Sequence, residues 1–386
     1  MTSVEQALTL IRGLRRQGET EELTLLQAHG RAAARSYYLP LDFPLFDNSA
    51  MDGYAVGSPS GPWEIVGEVA AGKTDPVRLG PCQAMRIFTG APIPERTYGV
   101  IPQEEATVHQ AVLMGKVRER GHIRLKAEEA VAGSCILSPG EFLYPPQLAA
   151  LAASGYATVE VEKIPTVSLI STGDEIVSPG ETLEFGQIYN SNATAVETFI
   201  DLWGGRAEPQ HIADCPEALR GAILTASSKS DLLITTGGIS VGAYDHVRAS
   251  IESAGYEVKF HGVAVKPGKP IAFGVRKDGK VWFGLPGNPL STWVGLFVFV
   301  TAWLGRELPR EHKMLAYEYN RKPGREEFCP ARLTAEGTAE ILQAIGSHAN
   351  LALLNADGFV RLSAELGQVR SGEIAEYLPF PWRRAS

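Results

Sequence analysis

From Ile164 onward, short apolar runs alternate with helical stretches, and each run ends in a glycine-rich or polar loop, which is the pattern of α/β architecture. The run at 166–170 leads into Ser171-Thr172-Gly173-Asp174-Glu175, and a helix starts near Asn192 and stops at the Gly204-Gly205 pair. Asp214 and Glu217 have capping-box spacing ahead of a helix at 218–226, and 231–235 is the next strand. It runs into Thr236-Gly237-Gly238-Ile239-Ser240-Val241-Gly242, after which Asp245 opens another helix. Strands follow at 261–265, 271–275 and 281–285, then a mostly apolar helix at 290–304. The expectation is a central doubly wound, three-layer α/β domain over residues 165–308.

The flanks have other periods. Ser3 and Gln6 make a capping box, and Val4, Ala7, Leu8, Ile11 and Leu14 form one helical face. Residues 46–130 are rich in glycine, proline and short β-type runs such as 63–69, so a small inserted β domain is expected there. Residues 1–45 and 131–164, with a short helix at 146–154, then make a discontinuous connecting domain, because an inserted domain leaves and re-enters its host at neighbouring points. From 309 to 386 alternation returns without long helices, which predicts a C-terminal β domain.

With 386 residues, 44% of them hydrophobic, the chain can bury more than one core. A net charge of -8 argues against nucleic acid or an anionic membrane as the main partner, so any anion site must be local. Cys82, Cys135, Cys215 and Cys329 are far apart, without C-x-x-C or a nearby histidine, and read as reduced, buried thiols. The longest apolar run, 294–304, is shorter than the ~20 residues that span a bilayer. Glu5 and Gln6 stand where a signal peptide would be basic and then apolar, so the compartment reads as cytoplasmic.

The chemistry concentrates in four loops at expected strand ends: STGDE at 171–175, TTGGISVG at 235–242, KPGKP at 266–270 and LPGNPLS at 285–291. Glycines let the backbone approach an anion, helix N-termini supply N–H groups, and Lys266 and Lys269 add charge. Gly262 and Gly268 are one residue too far apart for a Walker A loop, Pro270 replaces its Ser or Thr, and no G-x-G-x-x-G fingerprint occurs. Asp174, Glu175, Asp231 and Asp245 gather at or near these loops, and carboxylates beside phosphates point to Mg²⁺. For Asp231 a strand-start role, and for Asp245 a helix cap, are the structural alternatives.

DNSAMDGYAV at 47–56, RIFTGAPIP at 86–94, STGDE, GQIYNSN, TTGGISVG, AVKPGKP, FGLPGNP and GSH at 346–348 occur in the order found in MoeA-type molybdenumtransferases, a family that includes a domain of gephyrin, and the chain resembles them over nearly its whole length. The resemblance implies a four-domain homodimer that inserts molybdate into molybdopterin-adenylate with Mg²⁺-dependent release of AMP. It implies acidic functional residues at Asp52, Glu175, Asp231 and Asp245, with Glu175 and Asp245 as metal ligands, and Asp52 and Thr89 acting across the dimer interface. Lys266 and Lys269 would hold phosphate or molybdate. Ser171, Thr172, Gly173, Asp174, Gly237, Gly238, Ser240, Pro286, Gly287, Asn288 and Pro289 would bind pterin and nucleotide, with Ser347 beside molybdate. Implied partners are a molybdopterin adenylyltransferase and apo-molybdoenzymes or their chaperones. The pattern departs from the family's at Ala127-Glu128-Glu129, where G-E-D is usual, at 96–99, and at Pro330, where an arginine is usual. The rival readings are a molybdopterin-binding or scaffold paralogue without turnover, and the related single-domain adenylyltransferase, which lacks the flanking domains.

Overall fold

The computed structural model describes residues 1–14, 19–72, 77–203, 205–238, 244–342 and 346–382, apart from the side chains of Tyr244 and Asp245. The chain forms two compact units, residues 20–162 and residues 1–19 with 163–386.

In the larger unit a six-stranded sheet has the order Ala207–Ile212, Val167–Thr172, Leu232–Thr236, Val281–Leu285, Ala272–Arg276, Tyr256–His261. The first four are mutually parallel, and Ala272–Arg276 runs antiparallel to both of its neighbours. The central strands Val167–Thr172, Leu232–Thr236 and Val281–Leu285 are buried along their whole length because both faces are covered, whereas the edge strand Ala207–Ile212 is mostly exposed. On one face Val196, Phe199 and Ile200 of helix Ser191–Asp201 pack with Phe283, Leu285 and the helical stretch beyond Pro289. On the other, Leu219 and Ile223 of helix Pro216–Lys229 pack with Val247 and Ile251 of helix Tyr244–Ser253. The chain passes from Val167–Thr172 to one neighbour and then across to the other, so the carboxyl ends of Val167–Thr172 and Leu232–Thr236 flank the point where strand order reverses, the usual ligand crevice of such a sheet.

Three expectations are corrected here. Helix Pro216–Lys229 is entered through Cys215 and Pro216 with no side-chain cap, so Asp214 is no capping residue; its backbone N–H donates to Asp174 Oδ1 at 2.9 Å. The strand placed at 261–265 is Tyr256–His261, and the next extended pair, Val265–Lys266, joins the C-terminal sheet. The helix at 290–304 is interrupted by a π-helical stretch, Gly295–Val300.

Val4, Ala7, Leu8 and Ile11 of the capped helix Val4–Gly13 are buried in the α/β core, so the first residues pack there and not in the connecting domain. Ion pairs reinforce that packing. Glu5 accepts from Arg361 at 2.8 Å, and Glu307 takes two bonds from Arg12, at 2.8 and 2.6 Å. These guanidinium bonds are the largest influence on each carboxyl and hold both below the ordinary range. A depressed folded pKa gives stability above the unfolded value, near ~4.3, that is lost as pH falls through the folded one. Thermal unfolding followed from about pH 6 to pH 3 should show the wild type losing stability more steeply below about pH 4.5 than an E5Q/E307Q variant. Parallel curves would refute this.

The C-terminal sheet runs Val265–Lys266, Glu326–Leu333, Gly358–Leu362, Ile374–Pro379, Glu311–Met314. Its edge strand therefore comes from the lysine loop of the α/β domain, with Lys266 opposite Glu327 in register.

In the smaller unit Ala28, Ala33, Tyr37, Leu137, Leu143, Leu151, Val159 and Val161 share one core drawn from both segments that flank residues 46–130. Strand Thr20–Thr24 pairs with Thr158–Glu162 along its full length. The stretch between carries its own six-stranded sheet, which includes Gly53–Val56, Trp63–Val69 and Gln83–Ile87. Cys329 is buried, but Cys82, Cys135 and Cys215 are exposed, contrary to the expectation of buried thiols; all four are free. Among the described residues no helix is long and apolar enough to cross a membrane.

Candidate active site

Strand Val167–Thr172 ends at Gly173, whose backbone turns at φ +136°, and the carboxylate of Glu175 folds back so closely that a Cβ on Gly173 would lie 2.6 Å from its Oε2. Asp174 accepts the Asp214 N–H, and His211 Nε2 lies 2.9 Å from the Gly173 carbonyl. Asp174, Glu175 and Asp214 thus crowd one end of the sheet. Burial, and then the charges of Asp174 and Glu175, push the Asp214 carboxyl above its ordinary range.

Side-chain bonds knit the neighbouring loops to this end. Thr236 Oγ1 donates to Ser171 Oγ at 3.1 Å, and Ser171 Oγ lies 3.5 Å from Asn190 Oδ1, which also caps helix Ser191–Asp201. Asn192 reaches the Gly287 carbonyl at 2.7 Å, and the Gly237 N–H reaches the Leu285 carbonyl at 3.2 Å. The Thr172 hydroxyl, beside Gly237 and Gly238, is buried and has no partner among the described residues. Buried polar groups are normally satisfied, so an orphan hydroxyl in a crevice marks a place for ligand or water.

Beside the crevice lies a cleft of about 370 Å³ lined by Lys266, Lys269, Pro286, Asn288, Arg325 and Ser347, among others. Asn288 Nδ2 donates to Ser347 Oγ at 2.8 Å, and the Leu290 N–H to the Ser347 carbonyl at 3.1 Å. Lys266 meets the buried Glu327 at 2.7 Å, while Lys269 is exposed and makes no ion pair among the described residues. Cys329 also lines the cleft; burial and the nearby Glu327 push its thiol up to about 12, so it stays protonated. Two or more cations, a hydroxyl and turning backbone suit a tetrahedral oxyanion.

In the smaller unit Asp52 Oδ1 accepts from both the backbone N–H and the hydroxyl of Thr89, at 2.7 and 2.8 Å. Those bonds hold the exposed Asp52 carboxyl below its usual range, ionised at neutral pH.

Three family descriptions match in order: "MoeA N-terminal region (domain I and II)" over residues 2–155, "Probable molybdopterin binding domain" over 168–306, and "MoeA C-terminal region (domain IV)" over 314–380. A protein of Haemophilus influenzae named molybdopterin molybdenumtransferase is 34% identical over 384 residues, covering 94% of each chain. The chain belongs to the MoeA-type molybdopterin molybdenumtransferase family. A second relative, molybdopterin molybdenumtransferase 2 of Mycobacterium tuberculosis, is 32% identical over 96% of this chain and 98% of that one. The solved molybdopterin biosynthesis MoeA protein of Pyrococcus horikosii superposes with a TM-score of 0.82 at 32% identity, covering 98% of this chain and 99% of that chain. Like its relatives, this molybdenumtransferase is an enzyme of molybdenum insertion in cofactor biosynthesis.

Within this molybdenumtransferase the expected residues separate. Ser171, Thr172, Gly173, Asp174, Glu175, Gly237 and Gly238 share the crevice end of the sheet, and Pro286, Gly287, Asn288 and Pro289 follow the neighbouring strand into the cleft. Asp231 does not come to this end. It precedes strand Leu232–Thr236, where Oδ2 accepts from the Thr166 N–H and hydroxyl at 3.0 and 2.9 Å, a strand's length of about 16 Å from the glycine loop. The strand-start role is the one it fills. Ser240 and the side chain of Asp245 lie outside the described residues.

Asp214 and His211 were missed because a carboxylate two residues ahead of a helix looks like a cap; the readable signal was the position of Asp214 just past a parallel strand's carboxyl end. The departures also find places. Ala127 has φ +62°, a left-handed conformation that the family's usual glycine adopts without steric cost, and the exposed Glu129 follows it. Pro330 is buried and lines the oxyanion cleft.

Proposed function

We propose that this enzyme cleaves the phosphoanhydride of adenylylated molybdopterin in the presence of molybdate, releasing AMP and passing molybdenum to the dithiolene sulfurs. The observation that carries this reading is the contiguity of two sites: a carboxylate-rich crevice with glycine loops, and an oxyanion cleft joined to it through Asn288 and Gly287. The first suits a phosphoanhydride accompanied by a divalent cation and the second a tetrahedral oxyanion such as molybdate.

Among the described residues no three histidine, cysteine or carboxylate side chains already converge on a metal position. The donors at the crevice are nonetheless oxygen-rich, and the Asp214 carboxyl, raised first by burial and then by the charges of Asp174 and Glu175, stands where a divalent cation would offset that negative charge. Mg²⁺ commonly takes only one or two protein carboxylates and completes its shell with phosphate and water, so these residues fit it, with Glu175 and Asp214 as holders and Asp245 retained from the motif. When bound, it would neutralise charge on the substrate phosphates. The chain's own groups do the rest: the backbone N–H of Gly238 and the Thr172 hydroxyl position the substrate, and Lys266, Lys269 and Ser347 hold the oxyanion. Breaking a phosphoanhydride bond needs positioning and charge stabilisation more than a protein nucleophile. The homodimer, the adenylyltransferase that supplies the substrate and the apo-enzymes that accept the product belong to the same reading.

The test is anaerobic incubation of the full chain with molybdopterin-adenylate, Mg²⁺ and molybdate, following AMP release and transfer of active cofactor to an apoenzyme. Buried Pro330 in the cleft favours one rival, a binding protein without turnover, and tight substrate binding with no AMP release would decide for it. In the same assay Asp214→Asn should lower turnover by about 10²-fold, the scale of one removed electrostatic group, and raise the Mg²⁺ concentration needed. Unchanged Mg²⁺ dependence would remove Asp214 from the site.

A further inference from the structure

The two lysines of the KPGKP loop are held very differently. Lys269 is free of ion pairs among the described residues, whereas Lys266 Nζ lies 2.7 Å from Glu327 Oε1. Glu327 is only 4% exposed. Its other oxygen accepts from Arg321 Nε at 2.7 Å, and the Tyr319 hydroxyl donates to Oε1 at 3.2 Å. Arg321, whose side chain is 1% exposed, also donates to the Ser363 and Leu366 carbonyls, at 2.5 and 2.9 Å, and to the Arg325 carbonyl. The carboxylate is therefore clamped from behind, with one oxygen turned to the cleft. The parallel register that sets Lys266 opposite Glu327 brings the lysine to it.

We propose that Glu327 is a positioning residue of the oxyanion cleft: it fixes the Lys266 ammonium at the wall as an oriented donor and leaves Lys269 as the mobile, uncompensated charge that captures the anion. This rests on the reading of the cleft as the molybdate subsite. A buried carboxylate that served only to pair Arg321 would have no need of a second cation supplied by another domain's loop. Glutamine at 327 keeps an oxygen for Arg321, so the clamp persists, but turns an N–H₂ toward Lys266 and releases it. Aspartate keeps the charge and draws it back by one C–C bond, about 1.5 Å.

Two measurements on the full-length protein test this. Lysine acylation under limiting reagent, read residue by residue by mass spectrometry, should label Lys269 about fivefold or more faster than Lys266 in the wild type, since a lone-pair nucleophile is blocked by an engaged ammonium. In Glu327→Gln the two rates should converge with Lys269 unchanged. Molybdate-dependent AMP release should show KM for molybdate raised about tenfold in Glu327→Gln, the worth of one charge-assisted hydrogen bond, with kcat within about threefold. Glu327→Asp should recover part of that loss. A Lys266→Met/Glu327→Gln double variant should be no worse than Lys266→Met, because one residue acts through the other. A purely structural Glu327 would instead lower melting temperature and kcat together and add to the Lys266 loss. Equal labelling of both lysines in the wild type, or additive losses, overturns the proposal. A wild type whose turnover ignores molybdate overturns the functional reading and this role with it, whereas molybdate-dependent turnover left unchanged in Glu327→Gln overturns this role alone.

Discussion

Glutamine in place of Glu175 is expected to lower molybdate-dependent AMP release by about 10²- to 10³-fold, the cost of removing one electrostatic group aimed at a reacting phosphate. The fold should not notice. The Glu175 side chain is exposed and makes no hydrogen bond or ion pair among the described residues, and only its backbone is used, accepting from the Ile188 N–H at 2.8 Å. A carboxylate that contributes nothing to packing, yet folds back over a glycine to stand beside Asp174 and near Asp214, is held for its charge. Glutamine preserves shape and removes that charge. The change also takes away one of the two charges that raise Asp214, so Asp214 should ionise at lower pH in the variant, and any pH-dependent limb of activity should shift downward. The check is initial-rate AMP release at saturating molybdate and Mg²⁺, with melting temperature measured alongside. Activity within about tenfold of wild type would mean that the reacting phosphate and its cation are held elsewhere.

The crevice was legible because its parts are local. Glycine loops at the ends of apolar runs, the two lysines of one five-residue segment and a helix starting near Asn192 can all be read from spacing; that Asn190 caps that helix came only from the structure. Asp231 was misplaced because sequence gives a residue's distance from a strand but not which end of the sheet carries the chemistry. Asp214 was misread because the helix begins one residue later than the capping spacing of Asp214 and Glu217 needs: Cys215 is its N-cap and Pro216 its first residue, so Asp214 stands outside it. Long-range register was invisible. Nothing in the period of Val265–Lys266 says that it forms the edge of a sheet built mainly from residues beyond 310, and so neither Glu327 nor Arg321 could be attached to the lysine loop. The N-terminal helix went to the wrong domain for a like reason: its apolar face was plain, but the partner it covers, including Phe297 and Trp303, lies nearly three hundred residues away.

The second large effect is expected from Gly237→Ala. Gly237 sits at φ +84°, where an L-residue costs about 1–2 kcal/mol, and a Cβ there would stand 2.6 Å from the Thr172 carbonyl oxygen and 3.1 Å from its hydroxyl. The nearer atom is backbone at the end of a central strand, so it cannot swing away as a side chain would. The glycine loop must retreat from Thr172, weakening the 3.2 Å bond from the Gly237 N–H to Leu285 and opening the crevice by a displacement on the order of 1 Å. A shift of that size costs roughly 100-fold in rate, so the variant should lose activity out of proportion to its lost stability. Gly221→Ala is the paired control: it lies inside helix Pro216–Lys229 with nothing within 4 Å of an added methyl group, and there alanine should stabilise by about 0.5–1 kcal/mol without touching turnover. Denaturant unfolding and AMP release measured on both variants separate the two outcomes. Near-normal turnover in Gly237→Ala would show that the loop tolerates displacement, which would shift the weight of substrate positioning from the glycine loop to the lysine cleft.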